Sequence, residues 1–144
     1  MRGPNEVVVV VRRGGEFLVL HRVPERLGYW SLVAGGMEPG ESAAMAARRE
    51  LGEETSLDID VTELPVALSY SLLDDPPEVR ARYAAAIETV TVHGFVAEAP
   101  PAWEPRLDAE HDEYRWCDEE EALELLVYET TREAVRAAAR EAVS

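Results

Sequence analysis

The stretch GGMEPGESAAMAARRELGEETSL, Gly35 to Leu57, decides how this chain is read. Its second part is rich in strong helix formers, Ala43, Ala44, Ala46 and Ala47 among them, with Glu41 or Ser42 placed to cap the first turn. Ala43, Ala47 and Leu51 recur at i+4 and predict the face that turns to the core. A turn of about 100° per residue then gathers Glu50, Glu53 and Glu54 on one arc of that helix. Like charges at this spacing destabilise a helix, so local energetics give no reason for them. A hard divalent cation reverses the sign, because Mg²⁺ takes oxygen ligands and usually keeps waters and substrate phosphates in its other positions. The cluster reads as half of a metal site, with the other half left for an anion. The plain alternative is a solvated acidic helix face. Upstream, Gly35 to Glu41 is a loop by composition, and Gly35 and Gly36 let backbone come close to a ligand.

The same residues resemble the Nudix box: a glycine, five residues, a glutamate, seven residues, then Arg-Glu-aliphatic-x-Glu-Glu-x-Gly-aliphatic. Gly35, Glu41, Arg49, Glu50, Leu51, Glu53, Glu54 and Leu57 match it without a gap. One position departs, with Ser56 where the family has a glycine that would serve as a left-handed helix C-cap. Serine in that conformation costs about 1 kcal/mol. The resemblance implies the Nudix fold, an α/β/α sandwich around a mixed β-sheet, and hydrolysis of a nucleoside diphosphate linked to a further group by attack of water on phosphorus. It implies Glu50 and Glu54 as primary ligands of Mg²⁺, or of Mn²⁺ in its place. Glu53 is then a third ligand or the general base, and the backbone carbonyl near Gly35 a further ligand. Arg49 is expected to orient a box carboxylate, with Glu41 its best partner. Two or more cations are implied, since so many carboxylates would otherwise stay uncompensated.

Composition bounds the rest. With 144 residues, 47% of them hydrophobic, the chain reads as one domain over residues 1–144. A net charge of −15 makes nonspecific binding of a nucleic acid polymer improbable, and means that an anionic substrate needs a metal or well-placed arginines. Cys117 is the only cysteine, which excludes an intramolecular disulfide and fits a reducing compartment. The apolar run Val7–Val11 is too short for a signal peptide, and no stretch approaches the roughly 20 apolar residues of a membrane helix. The expectation is a cytoplasmic protein with no membrane contact, monomer or homodimer.

In chain order, Val7–Val11 reads as a buried strand, Arg12 to Glu16 as a hairpin turn and Phe17–His21 as the return strand. Pro24 to Gly28 is a loop and Tyr29–Val33 a short strand. After the helix, strands are expected around Val66–Ser71, over Tyr83–Val96 and over Tyr114–Cys117, with Asp74 to Pro77 a loop. Asp118 to Glu121 starts a helix, and Thr130 or Thr131 caps a last one carrying Ala134, Val135, Ala138 and Val143. Strands and helices do not alternate regularly, which argues α+β.

A second constellation, Glu110-His111-x-x-Tyr114-Arg115-Trp116, resembles two Nudix subfamilies, the asymmetric diadenosine tetraphosphate hydrolases and the dihydroneopterin triphosphate pyrophosphohydrolases. There a loop glutamate completes the metal site or acts as base. Glu110 matches it, with Glu113 the alternative and an ordinary surface acid the bland reading. Arg80-Ala81-Arg82-Tyr83 and Thr131-Arg132-Glu133-Ala134 also resemble the pterin subfamily, but Ala84 to Thr89 lacks its Arg/Asn segment, and Ala34 to Met37 lacks the Lys-Gly-His step of the diadenosine enzymes. Outside the box, Arg22, Arg80, Arg82, Tyr83 and His111 are the candidates for reading the substrate. Arg80 and Arg82 point the same way if their segment is extended, and would grip a terminal phosphate. The expected activity is Mg²⁺-dependent cleavage of a pyrophosphate linkage in a nucleotide or pterin triphosphate. The alternatives are a diadenosine polyphosphate hydrolase and a non-catalytic Nudix-fold nucleotide-binding regulatory module.

Overall fold

Residues 2–141 are described by a computed structural model. The run of valines forms the centre of a mixed sheet. Strand β1 (Asn5–Arg13) turns at Gly14-Gly15 into β2 (Glu16–Arg22), followed by β3 (Trp30–Ser31) and β4 (Val33–Gly36). Helix α1 (Ala43–Thr55) comes next, then β5 (Thr62–Glu63), β6 (Leu68–Ser71), the short helix α2 (Pro77–Arg80), β7 (Thr89–Glu98) and β8 (His111–Cys117). Helices α3 (Glu119–Leu125) and α4 (Glu129–Arg140) end the chain. The path β3-β2-β1-β7-β5 has only β1 and β7 parallel, while β4, β6 and β8 pair antiparallel with β1, β7 and β2.

Side chains alternate across a strand, so β1 serves two cores at once. Val7, Val9 and Val11 face α1 and meet Ala46, Ala47 and Leu51. Val8 and Val10 belong to the opposite layer, with Ala134, Val135 and Ala138 of α4 and Ala122 and Leu126 at α3. That is the expected α/β/α sandwich, and burial on both faces explains why the valine run is continuous rather than alternating. Arg12 is not in the turn but in the strand, where it is buried. Its Nε donates to Glu98 Oε1 at 2.6 Å, and its Nη1 donates to the carbonyls of Ala138 and of Glu141, the latter at 3.0 Å. A cation on the last carbonyls of α4 suits the helix dipole. Among the described residues no helix is long and apolar enough to cross a membrane.

Several boundaries differ from expectation for identifiable reasons. Gly35 and Gly36 are paired as the end of β4, opposite Val7 and Glu6, because β1 offers them an open ladder. The long strand begins at Thr89, not Tyr83: alanine is a poor strand former, and Ile87 N closes a turn on Ala84 O at 3.0 Å. Pro77 at the first helical position turns 77–80 into α2, so Arg80 and Arg82 do not lie on an extended segment. Two residues apart on a helical turn are about 200° apart, and their side chains diverge. The strand expected around Val66–Ser71 is β6, which begins at Leu68; β5 over Thr62–Glu63 is an additional short strand, and Pro24–Arg26 forms a 3₁₀ turn within its loop. Strand β8 starts at His111, three residues earlier than read, because its ladder with β2 runs past Tyr114. Tyr128, not Thr130 or Thr131, precedes α4, and Thr131 Oγ1 donates to Tyr128 O at 2.7 Å inside the first turn. Val143 lies outside the described residues.

Candidate active site

Helix α1 is fixed at both ends. Ser42 Oγ accepts from Met45 N at 3.1 Å, and at the other end Ser56 takes the left-handed conformation with φ 69°, its N–H donating to Gly52 O at 2.9 Å. With Ala46, Ala47 and Leu51 seated on β1, the acidic arc lies along β4. It is graded in depth: the Glu54 side chain is 4% exposed, Glu50 13% and Glu53 57%. Glu50 lies so close to Gly35 that any side chain there would collide with its carboxylate. Glu54 Oε1 accepts from Ala34 N at 3.4 Å, while Glu54 Oε2 is buried with no hydrogen-bond donor among the described residues. Burial, reinforced by Glu50 and then by Asp108, holds the Glu54 carboxyl well above the usual range.

Arg49 ties the arc to the loop before it. Its Nε and Nη2 reach both oxygens of Glu41 at 2.7 and 2.9 Å, Nη2 also donates to Gly36 O at 3.0 Å, and Nη1 donates to Glu50 Oε1 at 2.8 Å. Hydrogen bonds from Arg49, then from the Glu38 backbone, lower Glu41 to about 2, and Arg49 itself is raised. Glu53 lies 3.4 Å from Arg49 Nη1. Among the described residues no group of three His, Cys, Asp or Glu side chains stands ready to hold a metal ion. The reason is visible: Glu53 turns out toward Arg49 and solvent, and Glu110 pairs with Arg26 at 3.0 Å. Glu50 and Glu54 nonetheless fit a divalent cation as a two-carboxylate nucleus. An orphaned buried oxygen beside a second carboxylate, under backbone kept bare by glycine, is the donor chemistry such an ion compensates.

A cleft of about 720 Å³ opens over this nucleus, lined by Arg2, Arg22, Arg26 and Arg82, by Glu50, Glu53 and Glu110, and by the backbone of 34–36. Sequence-selected residues fall on both sides of its wall. Arg22 lines it, stacked 5.4 Å over the Tyr29 ring, with Nε donating to Arg26 O at 3.2 Å. Arg82 lines it, whereas Arg80 is exposed at the end of α2 and does not. Tyr83 is buried, its hydroxyl spent on Glu6. His111 is buried behind Glu54: its Nδ1 is 2.8 Å from Asp108 Oδ1 and its Nε2 3.7 Å from Glu54 Oε1, an electrostatic contact rather than a hydrogen bond. Glu110 lines the cleft, while Glu113 is exposed beside Arg115. Arg2, Arg26 and Asp108 were not selected from the sequence. Arg26 stands four residues after Arg22 in a proline-started turn, and Asp108 three before His111, spacings that carry a signal only once the loops are placed.

Comparison with known proteins adds an independent observation. A family model described as "NUDIX domain" matches residues 1–142. An octanoyltransferase of Myxococcus xanthus is 38% identical over 92% of this chain, which spans only 35% of that protein. An RNA pyrophosphohydrolase of Erythrobacter litoralis is 28% identical, covering 93% of this chain and 86% of its own length. Among solved structures, the dihydroneopterin triphosphate pyrophosphohydrolase of E. coli superposes with a TM-score of 0.80 at 26% identity, covering 92% of each chain.

Proposed function

The chain belongs to the NUDIX domain family, and from that premise we propose that it is a single-domain, metal-dependent pyrophosphohydrolase, residues 1–144, cleaving a phosphoric anhydride in a small nucleotide or pterin triphosphate. The observation that carries the reading is the buried Glu54 Oε2, without a hydrogen-bond donor among the described residues, beside Glu50 at the foot of a cleft lined by four arginines. Hydrolases of this family generally use a divalent metal, taken here as Mg²⁺, with Mn²⁺ as its substitute. Glu50 and Glu54 would hold it, with the carbonyl of Gly35 and the outer carboxylate Glu53 as further ligands. When bound, the cation supplies charge neutralisation for the phosphate oxygens.

The remaining chemistry belongs to the protein. Phosphoryl transfer depends on positioning and charge compensation more than on covalent help. Where it is not a ligand, Glu53 is the candidate general base, because it is the most exposed carboxylate of the arc, lines the cleft and can take the proton of the attacking water. Glu110, held by Arg26 on another part of the wall, is the second candidate for base or ligand. Arg49 keeps Glu50 and Glu41 in place. Arg22 and Arg82 offset the repulsion that a chain of charge −15 exerts on a polyanion. The same charge argues for a small substrate over the body of a nucleic acid. The reading places the protein in the cytoplasm, as monomer or homodimer.

The test is release of phosphate and pyrophosphate from a panel of nucleoside triphosphates, dihydroneopterin triphosphate, diadenosine tetraphosphate and 5′-triphosphorylated RNA, with Mg²⁺ and with EDTA. Turnover of a small triphosphate only with Mg²⁺ is the expected result. Binding without turnover of any substrate makes the chain a nucleotide-binding module instead.

A further inference from the structure

We propose that Arg2 and Arg82 form a preorganised anion subsite in the cleft, taking a phosphate group beyond the two engaged at the Glu50–Glu54 nucleus, with buried Glu6 as the positioning residue that holds Arg2. The proposal rests on the polyphosphate reading above and deepens it. Of the four arginines on the cleft wall, two are already engaged. Arg26 pairs with Glu110, and Arg22 donates to the Arg26 carbonyl while stacking on Tyr29. The other two adjoin one another: Arg2 N donates to Arg82 O at 2.7 Å, and Arg2 bridges to Tyr83 in parallel register. The Arg82 side chain makes no hydrogen bond or ion pair among the described residues, so its guanidinium faces the cleft uncommitted.

Arg2 is held differently. Its guanidinium lies 5.5 Å over the Tyr83 ring and places Nη2 3.0 Å from Glu6 Oε2. It also covers Gly36, where an added Cβ would sit 3.6 Å from both Nε and Nη2. Glu6 is a buried carboxylate whose oxygens are both occupied: Oε1 accepts from the Tyr70 hydroxyl, and Oε2 accepts from that of Tyr83, the two hydroxyls lying 2.9 Å apart. Burying a carboxylate is costly unless it is paired and hydrogen-bonded, and here two hydroxyls and one guanidinium serve it. What the network fixes is the position of one cation at the cleft edge next to Gly36. A guanidinium carries five N–H donors in a fixed fork, and one contact to Glu6 leaves others to turn toward a ligand. Preorganised donors meet an anion without the reorganisation that a free side chain would need. Burial alone would lower the pKa of Arg2, but Glu6, the two tyrosines and Glu50 outweigh it, so the cation is secure at any working pH.

The test is calorimetric titration of the unhydrolysable methylene-bridged analogues of tripolyphosphate and of pyrophosphate into the full chain with saturating Mg²⁺ at low salt. The wild type is expected to bind tripolyphosphate more tightly than pyrophosphate. Arg2→Ala and Arg82→Ala should each weaken tripolyphosphate about tenfold or more, the worth of one charge-assisted hydrogen bond, and so erase the preference. Arg80→Ala, outside the cleft, should change neither. Glu6→Gln should weaken tripolyphosphate alone, and Arg2→Lys should restore only part of the loss, because lysine keeps the charge without the fork. Should Glu6→Gln not fold, the two arginine variants decide. Absence of tripolyphosphate binding, equal losses on both ligands, or an equal effect of Arg80→Ala overturns the subsite. Normal binding by Arg2→Ala in a chain that hydrolyses triphosphates sinks the subsite alone. Tripolyphosphate binding as expected in a chain without Mg²⁺-dependent turnover sinks the activity alone.

Discussion

The carboxylate of Glu50 occupies the space a side chain at position 35 would need: a Cβ built on Gly35 would sit 2.2 Å from Glu50 Oε1. Real Cβ contacts do not come so close, so Gly35→Ala must push the carboxylate away from β4. Because the displaced atom ends a flexible side chain, the fold is expected to survive with a Tm within about 3 °C of the wild type. Metal affinity should fall by roughly 10–100-fold, as when the surroundings of a ligand are disturbed. Mg²⁺ titration calorimetry with circular dichroism checks both, and unchanged affinity would place the cation away from Glu50.

Glu53 and Glu54 differ in depth, and their variants should differ in kind. Each of Glu53→Gln and Glu54→Gln is expected to lower kcat by about 10²-fold or more. Glu54→Gln also removes the buried repulsion with Glu50, so the metal-free variant should melt no lower than the wild type. Mg²⁺ raises the Tm of any protein it binds in the native state, and that rise should vanish in Glu54→Gln but persist in part in Glu53→Gln. Differential scanning fluorimetry with and without Mg²⁺ reads the contrast; wild-type turnover in either variant would sink its assignment.

The Glu41–Arg49 pair gives stability a pH dependence of known sign. Glu41 is lowered to about 2 from an ordinary 4.5, so its contribution is fully present above pH 4.5 and is lost as pH falls through 2. Glu41→Gln should cost about 1–3 kcal/mol near neutral pH, roughly 3–10 °C in Tm. The two melting curves should converge as pH approaches 2. A gap that stays constant down the acid limb would show that Glu41 acts through packing rather than charge.

Ser56 holds a left-handed φ of 69° at the end of α1. Ser56→Gly removes the Cβ penalty, at the cost of a weak bond from Oγ to Arg106 O at 3.4 Å. A gain of about 0.5–1 kcal/mol is expected, a Tm increase of a few degrees, with kcat unchanged. A lower Tm would mean that the Arg106 contact outweighs the backbone strain.

Helix α1 and its acidic arc were legible because their signal is local: cap, periodicity and like charges at i, i+3 and i+4 all sit in one stretch. Gly35 and Gly36, loop by composition, pair as strand only because β1 lies beside them. The sandwich was legible from the valine run together with the resemblance. What escaped was tertiary. Arg2 and Glu6 are near neighbours in the chain, but nothing local announces that Tyr70 and Tyr83 will fix the pair, since those residues reach Glu6 only when β7 pairs with both β1 and β6. The opposite error befell Tyr83 and Arg80. An Arg-x-Arg-Tyr run looks like a substrate-reading segment, but Pro77 starts a helical turn that sends Arg80 away and folds Tyr83 inward. Glu53 and Glu110 show a third limit, because spacing predicts which carboxylates can converge and says nothing of the arginines that hold them apart.

The parallel pairing of β1 with β7 carries a consequence for how the chain acquires its shape. The pair joins residues such as Arg12 and Glu98, 86 positions apart. Contacts of such sequence separation must repay a large loop-closure entropy before they stabilise anything, and chains dominated by them fold in milliseconds to seconds rather than microseconds. During synthesis Val7–Val11 leaves the ribosome long before β7 exists to cover its edge. Until then an uncharged, β-branched segment with high strand propensity is covered only on the edge that β2 and β4 take, which is the condition under which strands pair with other chains. Refolding yield should therefore fall steeply with protein concentration while the native state stays stable. A charged residue placed within that valine run would relieve the hazard only by burying its charge in one core layer or the other, since every position of the run faces one of them.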